Sequence, residues 1–256
     1  MARCGSSAIF EMIKDSCEGE KIAFFEPNEQ DFFSKVLPFI DSGKRIVTKV
    51  LLRPYLSYEA NAKKIFSKVV GLVRDPRDNI VSRLLFRLVS RKFIEDGNIY
   101  KQVLPLLEQK INQPTSVSVV ELFTVLENSG LMEKMIDQRF QENLDLFMAW
   151  HDRNKNALIY KYENFVMRKF EDLSIFTEEK IFYEHSQKVV FPAIKRNGKF
   201  GEWKNWFTPE DVNFFRPRME KFMERYGYPL DWNLPENQKI NPTTSIDYIK
   251  RYAGIE

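Results

Sequence analysis

Four groups of residues in this 256-residue chain have the types and spacing needed to hold an anion or move a proton. The first is Lys68 to Phe86, Lys-Val-Val-Gly-Leu-Val-Arg-Asp-Pro-Arg-Asp-Asn-Ile-Val-Ser-Arg-Leu-Leu-Phe. Val69 to Val73 is a short apolar run, and Pro76, Asp78 and Asn79 supply helix-start chemistry, so the segment predicts strand, tight turn and helix. Arg74 then stands at the carboxyl end of a buried strand, where open α/β sheets bind ligands. Ser82, in the first turns of the helix, can bring its hydroxyl towards the same crevice. A guanidinium and a hydroxyl beside a helix start suit a phosphate group.

The second group opens the chain. Arg3-Cys4-Gly5-Ser6-Ser7 reads as a loop entering a helix that runs to about Asp15. Gly5 permits close backbone approach to an anion, and Ser6 and Ser7 add hydroxyls to the free amides of the helix start. The same residues make ordinary helix caps, so taken alone the run leaves both readings open. It lacks the Gly-Lys-Ser/Thr of a Walker loop, which disfavours a magnesium-nucleotide kinase. Third, Glu26 ends the strand-like run from Lys21 and precedes Pro27. It is either the cap of a helix over Glu29 to Leu37 or a general base. Fourth, Lys195 to Thr208 sets basic residues around Gly198 and Gly201, a composition suited to a loop that wraps a phosphate.

These residues resemble the sulfotransferases that use 3′-phosphoadenosine 5′-phosphosulfate (PAPS). The Arg-Asp-Pro-Arg-Asp run with its following serine is similar to that family's 3′-phosphate motif. Arg3, Gly5, Ser6 and Ser7 match the arginine form of its 5′-phosphosulfate loop, the form of carbohydrate and protein-tyrosine sulfotransferases. Arg196, Gly198, Gly201, Trp203, Lys204, Asn205, Phe207 and Thr208 match its Arg-Lys-Gly-x-x-Gly-Asp-Trp-Lys-Asn-x-Phe-Thr element, with Asn197 for lysine and Glu202 for aspartate. Tyr162, in the run Ala157 to Glu163, matches a tyrosine that contacts adenine, although a tyrosine filling space at a strand end reads equally well.

The resemblance implies a set of roles. Arg74, Ser82, Arg196, Asn197 and Gly198 would bind the 3′-phosphate. Arg3, Cys4, Gly5, Ser6 and Ser7 would hold the 5′-phosphosulfate. Glu26 would deprotonate an acceptor hydroxyl, while Arg3 and Ser6 stabilise charge on the leaving phosphate. PAPS would be the co-substrate and 3′-phosphoadenosine 5′-phosphate (PAP) the product, with no metal. The acceptor would be a small-molecule or carbohydrate hydroxyl, the Phe-Glu-Pro step leaning towards carbohydrate. An inactive PAP-binding protein is the alternative, and a P-loop kinase a more distant one.

Three departures from the family pattern stand out. Two residues precede Arg3, so the strand that leads into this loop in the family is not seen here; either it lies before the first residue given or the sheet lacks it. Ala8 stands where the cytosolic branch has an adenine-holding tryptophan. Val50 and Leu51 replace the threonine and histidine of that branch's Lys-Thr-His, so only Lys49 matches and a histidine base is not available.

The elements needed to position these residues follow from periodicity. Strands are expected at Lys21 to Phe25, Arg45 to Leu52, Val69 to Val73 and Ala157 to Glu163. Helices are expected over Asn79 to Lys92, Ile99 to Asn112, Val117 to Asn128 and Leu131 to Trp150, with a last one after Thr208-Pro209-Glu210. The resemblance makes this a three-layer α/β fold, P-loop nucleotide-kinase-like, with a central parallel sheet. Its domain would cover residues 1–230, a helical insertion lying at about 97–154, and residues 231–256 would form a tail carrying one short helix.

Bulk properties set the outer bounds. A net charge of +3 in a chain 29% charged gives no electrostatic case for nucleic-acid binding. No apolar run reaches the ~18 to 20 residues of a membrane span, and no signal-peptide core is seen, so a soluble cytoplasmic protein is expected. Cys4 and Cys17 are too few for a disulfide scaffold, and His151 and His185 lack partners at zinc-ligand spacing.

Overall fold

The computed structural model of the protein describes residues 4–132, 136, 138–182 and 198–255. The chain is α/β and divides into two compact units, Met1–Arg74 with Ala149–Val189, and Asp75–Met148 with Val190–Glu256.

The first unit holds helix α1 (Ser6–Ser16) and strands β1 (Lys21–Phe25), β2 (Arg45–Lys49), β3 (Val70–Val73) and β4 (Leu158–Lys161). β1 pairs in parallel with β2, from Lys21 opposite Arg45 to Phe25 opposite Lys49. β3 pairs in parallel with β4, from Val70 opposite Leu158 to Val73 opposite Lys161. The parallel pairing expected from the sequence is therefore present as two two-stranded sheets. Parallel neighbours require a crossover, and the one between β1 and β2 is not the regular helix expected over Glu29 to Leu37. One α-turn at Glu29–Asp31 passes into a π-turn at Phe32–Val36 and a 3₁₀ segment at Leu37–Ser42. Pro38 explains the change, because it has no N–H for the ladder and its ring crowds the carbonyl four residues back.

α1 is the packing element of this unit. Ile9, Met12 and Ile13 recur at helical spacing and meet Tyr160 and Leu158 of β4 and Val70 and Leu72 of β3, with Leu173 and Ile181 closing the cluster. One residue round, Phe10 sets its ring edge-on to Phe25 of β1 at 5.7 Å between centroids. The start of α1 is thereby placed relative to the carboxyl ends of the strands.

The second unit is helical. Its first helix, Pro76–Leu88, is capped by Asp75, which accepts the Arg77 N–H at 2.9 Å. It begins earlier than Asn79 because Pro76 suits a first helical position, where no N–H is needed. Ile80, Val81, Leu84, Leu85 and Leu88 are buried along one face. The expected helical stretch follows as Asn98–Asn112, Val119–Asn128 and Arg139–Arg153, the last crossing into the first unit at Ala149. Phe215 of the Pro209–Arg225 helix stacks on Phe207 at 5.3 Å and meets Phe140 edge-on at 6.4 Å.

A single buried carboxylate starts two of these helices. Asp211 completes a capping box with Thr208, and it also accepts the N–H groups of Val119 and Val120 at 2.9 and 3.0 Å. Burial raises its pKa, and the three backbone amides of Thr208, Val119 and Val120 oppose that rise. Nearby, the fully buried Lys110 donates its ammonium to the carbonyls of Pro114 and Val117. After Asp231, Trp232 is buried edge-on to Trp203 at 5.9 Å, and the short helix expected there is Ile246–Ala253, with Ile246, Tyr248 and Ile249 buried. Among the described residues no helix is long and apolar enough to cross a membrane.

Candidate anion-binding site

The site of interest lies within the first unit, at the carboxyl ends of its strands. Because β1 and β2 are parallel and in register to their last residues, Phe25 and Lys49 are level with each other. The next residue, Glu26, takes a left-handed conformation with φ of 51° and donates its N–H to the Lys49 carbonyl at 2.7 Å. That turn brings the Glu26 carboxylate onto the Lys49 ammonium as an ion pair. The ammonium donates also to Ser7 Oγ at 3.2 Å, and lies 4.0 Å from the centre of the Phe25 ring. Lys49 is buried, its side chain 7% exposed, whereas Glu26 keeps a third of its side chain in solvent. A buried ammonium is tolerated only when compensated, and here a carboxylate, a hydroxyl and an aromatic face do so.

Ser7 stands in the first turn of α1. That helix starts from Gly5, whose φ of 69° is left-handed, and it has neither a side-chain cap nor an acidic residue in its first turn. Its opening amides thus carry the positive end of the helix dipole with no carboxylate of the helix's own to offset it. Gly5 is required for a second reason. A Cβ there would lie 2.6 Å from Cδ2 of Tyr162, which presses its ring against the turn. Tyr162 is buried at the start of the short Tyr162–Val166 helix directly after β4, one step beyond the strand end expected from the sequence. The Arg74 guanidinium, at the end of β3 and 5% exposed, sits 4.4 Å from the centre of that ring. One buried cation, on β2, thus touches the first turn of α1, and a second, just beyond β3, lies over the ring that packs on Gly5.

Of the residues singled out in the sequence, Gly5, Ser7, Glu26, Arg74 and Tyr162 come together in this arrangement, with Ser6 opening α1 and the buried Cys4 just before it. The capping role open to Glu26 belongs instead to Asn28, whose side chain accepts the Asp31 N–H at 2.8 Å. Arg3, Arg196 and Asn197 lie outside the described residues. Ser82 and Gly198 belong to the second unit; Ser82 is buried in the Pro76–Leu88 helix, and Gly198 is exposed with φ of 62°.

The Arg-Asp-Pro-Arg-Asp run divides by role. Its second half is structural within the second unit. Arg77 pairs with Asp75 at 2.7 Å, donates to the Pro229 carbonyl at 3.0 Å and lies 4.1 and 5.0 Å from the rings of Trp203 and Trp232. Asp78 accepts the N–H groups of Gly201 and Trp203, tying the glycine-rich loop to the helix start. Part of the motif's specificity in sequence thus reflects packing.

Lys49 is the site residue that sequence reading undervalued. Its place follows from the register: two five-residue strands, one followed by an acid and the other ending in a base, set opposite charges level once they pair in parallel. Among the described residues no cluster of three or more histidine, cysteine or acidic side chains could hold a metal ion. Comparison with protein-family models, with curated proteins and with solved structures found no match for this chain.

Proposed function

We propose that the chain is a PAPS-dependent sulfotransferase, its first unit holding the 5′-phosphosulfate at the start of α1. The observation that carries this reading is a buried cation, Lys49, in contact with Ser7 just after the Gly5 turn, with a second, Arg74, over the Tyr162 ring that packs on Gly5. Free amides with adjacent ammonium and guanidinium groups favour a multiply charged oxyanion over a neutral ligand. The adenine-contacting role of Tyr162 rests on the sequence resemblance. The three-layer, P-loop nucleotide-kinase-like fold is part of the same proposal, supported by parallel pairing and by a site at strand carboxyl ends. The 3′-phosphate roles of Ser82, Arg196, Asn197 and Gly198, and the role of Arg3 at the phosphosulfate, rest on the sequence resemblance.

When bound, PAPS supplies a sulfuryl group whose bond to the phosphate oxygen breaks as the acceptor oxygen bonds to sulfur. The chain's residues do the remainder. Glu26, solvent-accessible at the mouth of the site, takes the acceptor proton. Lys49, the opening amides of α1 and the hydroxyl of Ser6 offset charge on the departing phosphate, an effect worth about 10² to 10³ in rate per donor. A carbohydrate acceptor is the preferred class, on the Phe25-Glu26-Pro27 step.

The second reading, a PAP-binding protein without transferase activity, draws on the ion pair that occupies the Glu26 carboxylate. One experiment separates these classes. Thermal denaturation with PAP at ~100 times its dissociation constant is expected to show about 2.7 kcal/mol of stabilisation, lost in Arg74→Ala. Sulfate transfer from PAPS to hydroxyl acceptors is then expected in the wild type and reduced at least ~10²-fold in Glu26→Gln. Stabilisation without transfer to any acceptor supports the second reading, and no stabilisation by PAP overturns both.

A further inference from the structure

The Lys49 ammonium lies between two anionic claims. On one side is the carboxylate of Glu26; on the other, 3.2 Å away, is Ser7 Oγ in the first turn of α1, where an oxyanion would sit. The side chain is held from the flank by the Phe25 ring at 4.0 Å and is almost wholly buried, so it has little other space to explore. A single ammonium so confined cannot satisfy a carboxylate and a bound phosphate or sulfate fully at once. Charge pairs of this kind couple strongly because each partner's desolvation is already complete on the lysine side.

We infer that Lys49 is a shared counter-ion that couples cofactor binding to release of Glu26. Without an anion at the start of α1, Lys49 pairs with Glu26 and holds the carboxylate occupied. An oxyanion bound against the Gly5 to Ser7 turn draws the ammonium to itself, and Glu26 is left able to accept a proton from an acceptor hydroxyl. Acceptor activation then follows nucleotide binding, and the carboxylate stays neutralised while the site is empty. Lys49 is in this sense a positioning residue for Glu26. The inference rests on the reading of the site as one for a nucleotide phosphate, and it adds the order in which the site becomes competent.

Competition for one cation makes the two partners antagonists at equilibrium, and binding reads this directly without any transferase assay. Titration calorimetry of PAP against wild type, Glu26→Gln and Glu29→Gln is the test. Glu29 is exposed three residues on, and its neutralisation changes the net charge by the same amount. Glu26→Gln is expected to bind PAP roughly 3- to 10-fold more tightly than wild type, while Glu29→Gln stays within about 2-fold. In a Lys49→Gln background the Glu26→Gln gain is expected to vanish. Equal affinity of wild type and Glu26→Gln, or an equal gain from Glu29→Gln, overturns the coupling and leaves the nucleotide site standing. Failure of the wild type to bind PAP overturns the nucleotide reading and the coupling with it.

Discussion

At the scale of single residues, Gly5 shows how one position can serve two constraints. Its left-handed backbone starts α1, and its missing Cβ makes room for Tyr162. Gly5→Ala must accommodate both a strained φ and a carbon 2.6 Å from Cδ2 of Tyr162, and neither adjustment is independent of the other. The expected outcome is a loss of about 1 to 3 kcal/mol in chemical denaturation, together with weakened PAP binding. A fully stable Gly5→Ala protein would mean that the ring moves away freely. Gly5 and Arg74 were legible in the sequence because their types are unusual for their settings: a glycine before a helix, an arginine after an apolar strand. Lys49 was not. A lysine at a strand end is commonplace, and its importance comes from Glu26, 23 residues away, and from Ser7, 42 residues away.

At the scale of elements, most helices and all four strands were readable, and the errors have local causes. The crossover after β1 breaks into π and 3₁₀ turns around Pro38, although its apolar spacing reads as one helix. Of the helix expected from Leu131 to Trp150, the part described is Arg139–Arg153, and residues 133–135 and 137 lie outside the described residues. Capping signals were more dependable, since Thr208 and Pro209 set the start of their helix as expected. What no local signal showed is that Asp211 also serves the Val119–Asn128 helix, 91 and 92 residues away in the chain. Asp211→Ala leaves the Val119, Val120 and Thr208 amides unsatisfied in a buried setting, and is expected to cost about 3 kcal/mol or more. Ser118→Ala removes only the local cap on Glu121 and should cost about 1 kcal/mol. Urea unfolding of the two variants measures the difference, and equal losses would mean that solvent reaches the Asp211 amides.

At the scale of the whole molecule, stability carries a pH dependence from one buried cation. Burial lowers the Lys110 pKa to about 8, against 10.5 for the ordinary side chain, while Asp211 and Glu121 act in the opposite direction. Between these two values the unfolded chain binds the proton and the folded chain does not. The unfolded state therefore holds more protons, and this group's contribution to stability rises as pH goes from about 8 to about 10.5. The contribution is of order 2 to 3 kcal/mol across that window. The unfolding free energy of wild type relative to Lys110→Met, measured at pH 7.5 and pH 10, is expected to move in the wild type's favour at the higher pH. A difference that stays constant with pH would show that Lys110 remains protonated in the fold.

The sequence by itself determined the α/β class, the alternation of short apolar strands with amphipathic helices, and the glycine, arginine and serine types at the ends of those elements. These are local properties, fixed by backbone sterics, periodicity and capping within a few residues. Only the tertiary structure decided which charges meet. Parallel register sets Glu26 beside Lys49, the seating of α1 on the strands brings Ser7 to the same ammonium, and the turn after β4 lays Tyr162 across Gly5 and Arg74. Arg74 and Arg77 are three residues apart and of one chemical type, yet one lies over the Tyr162 ring while the other is held among Trp203, Trp232 and Asp75. Coulomb energy and desolvation depend on distance and burial in three dimensions, and the linear order of the chain carries neither.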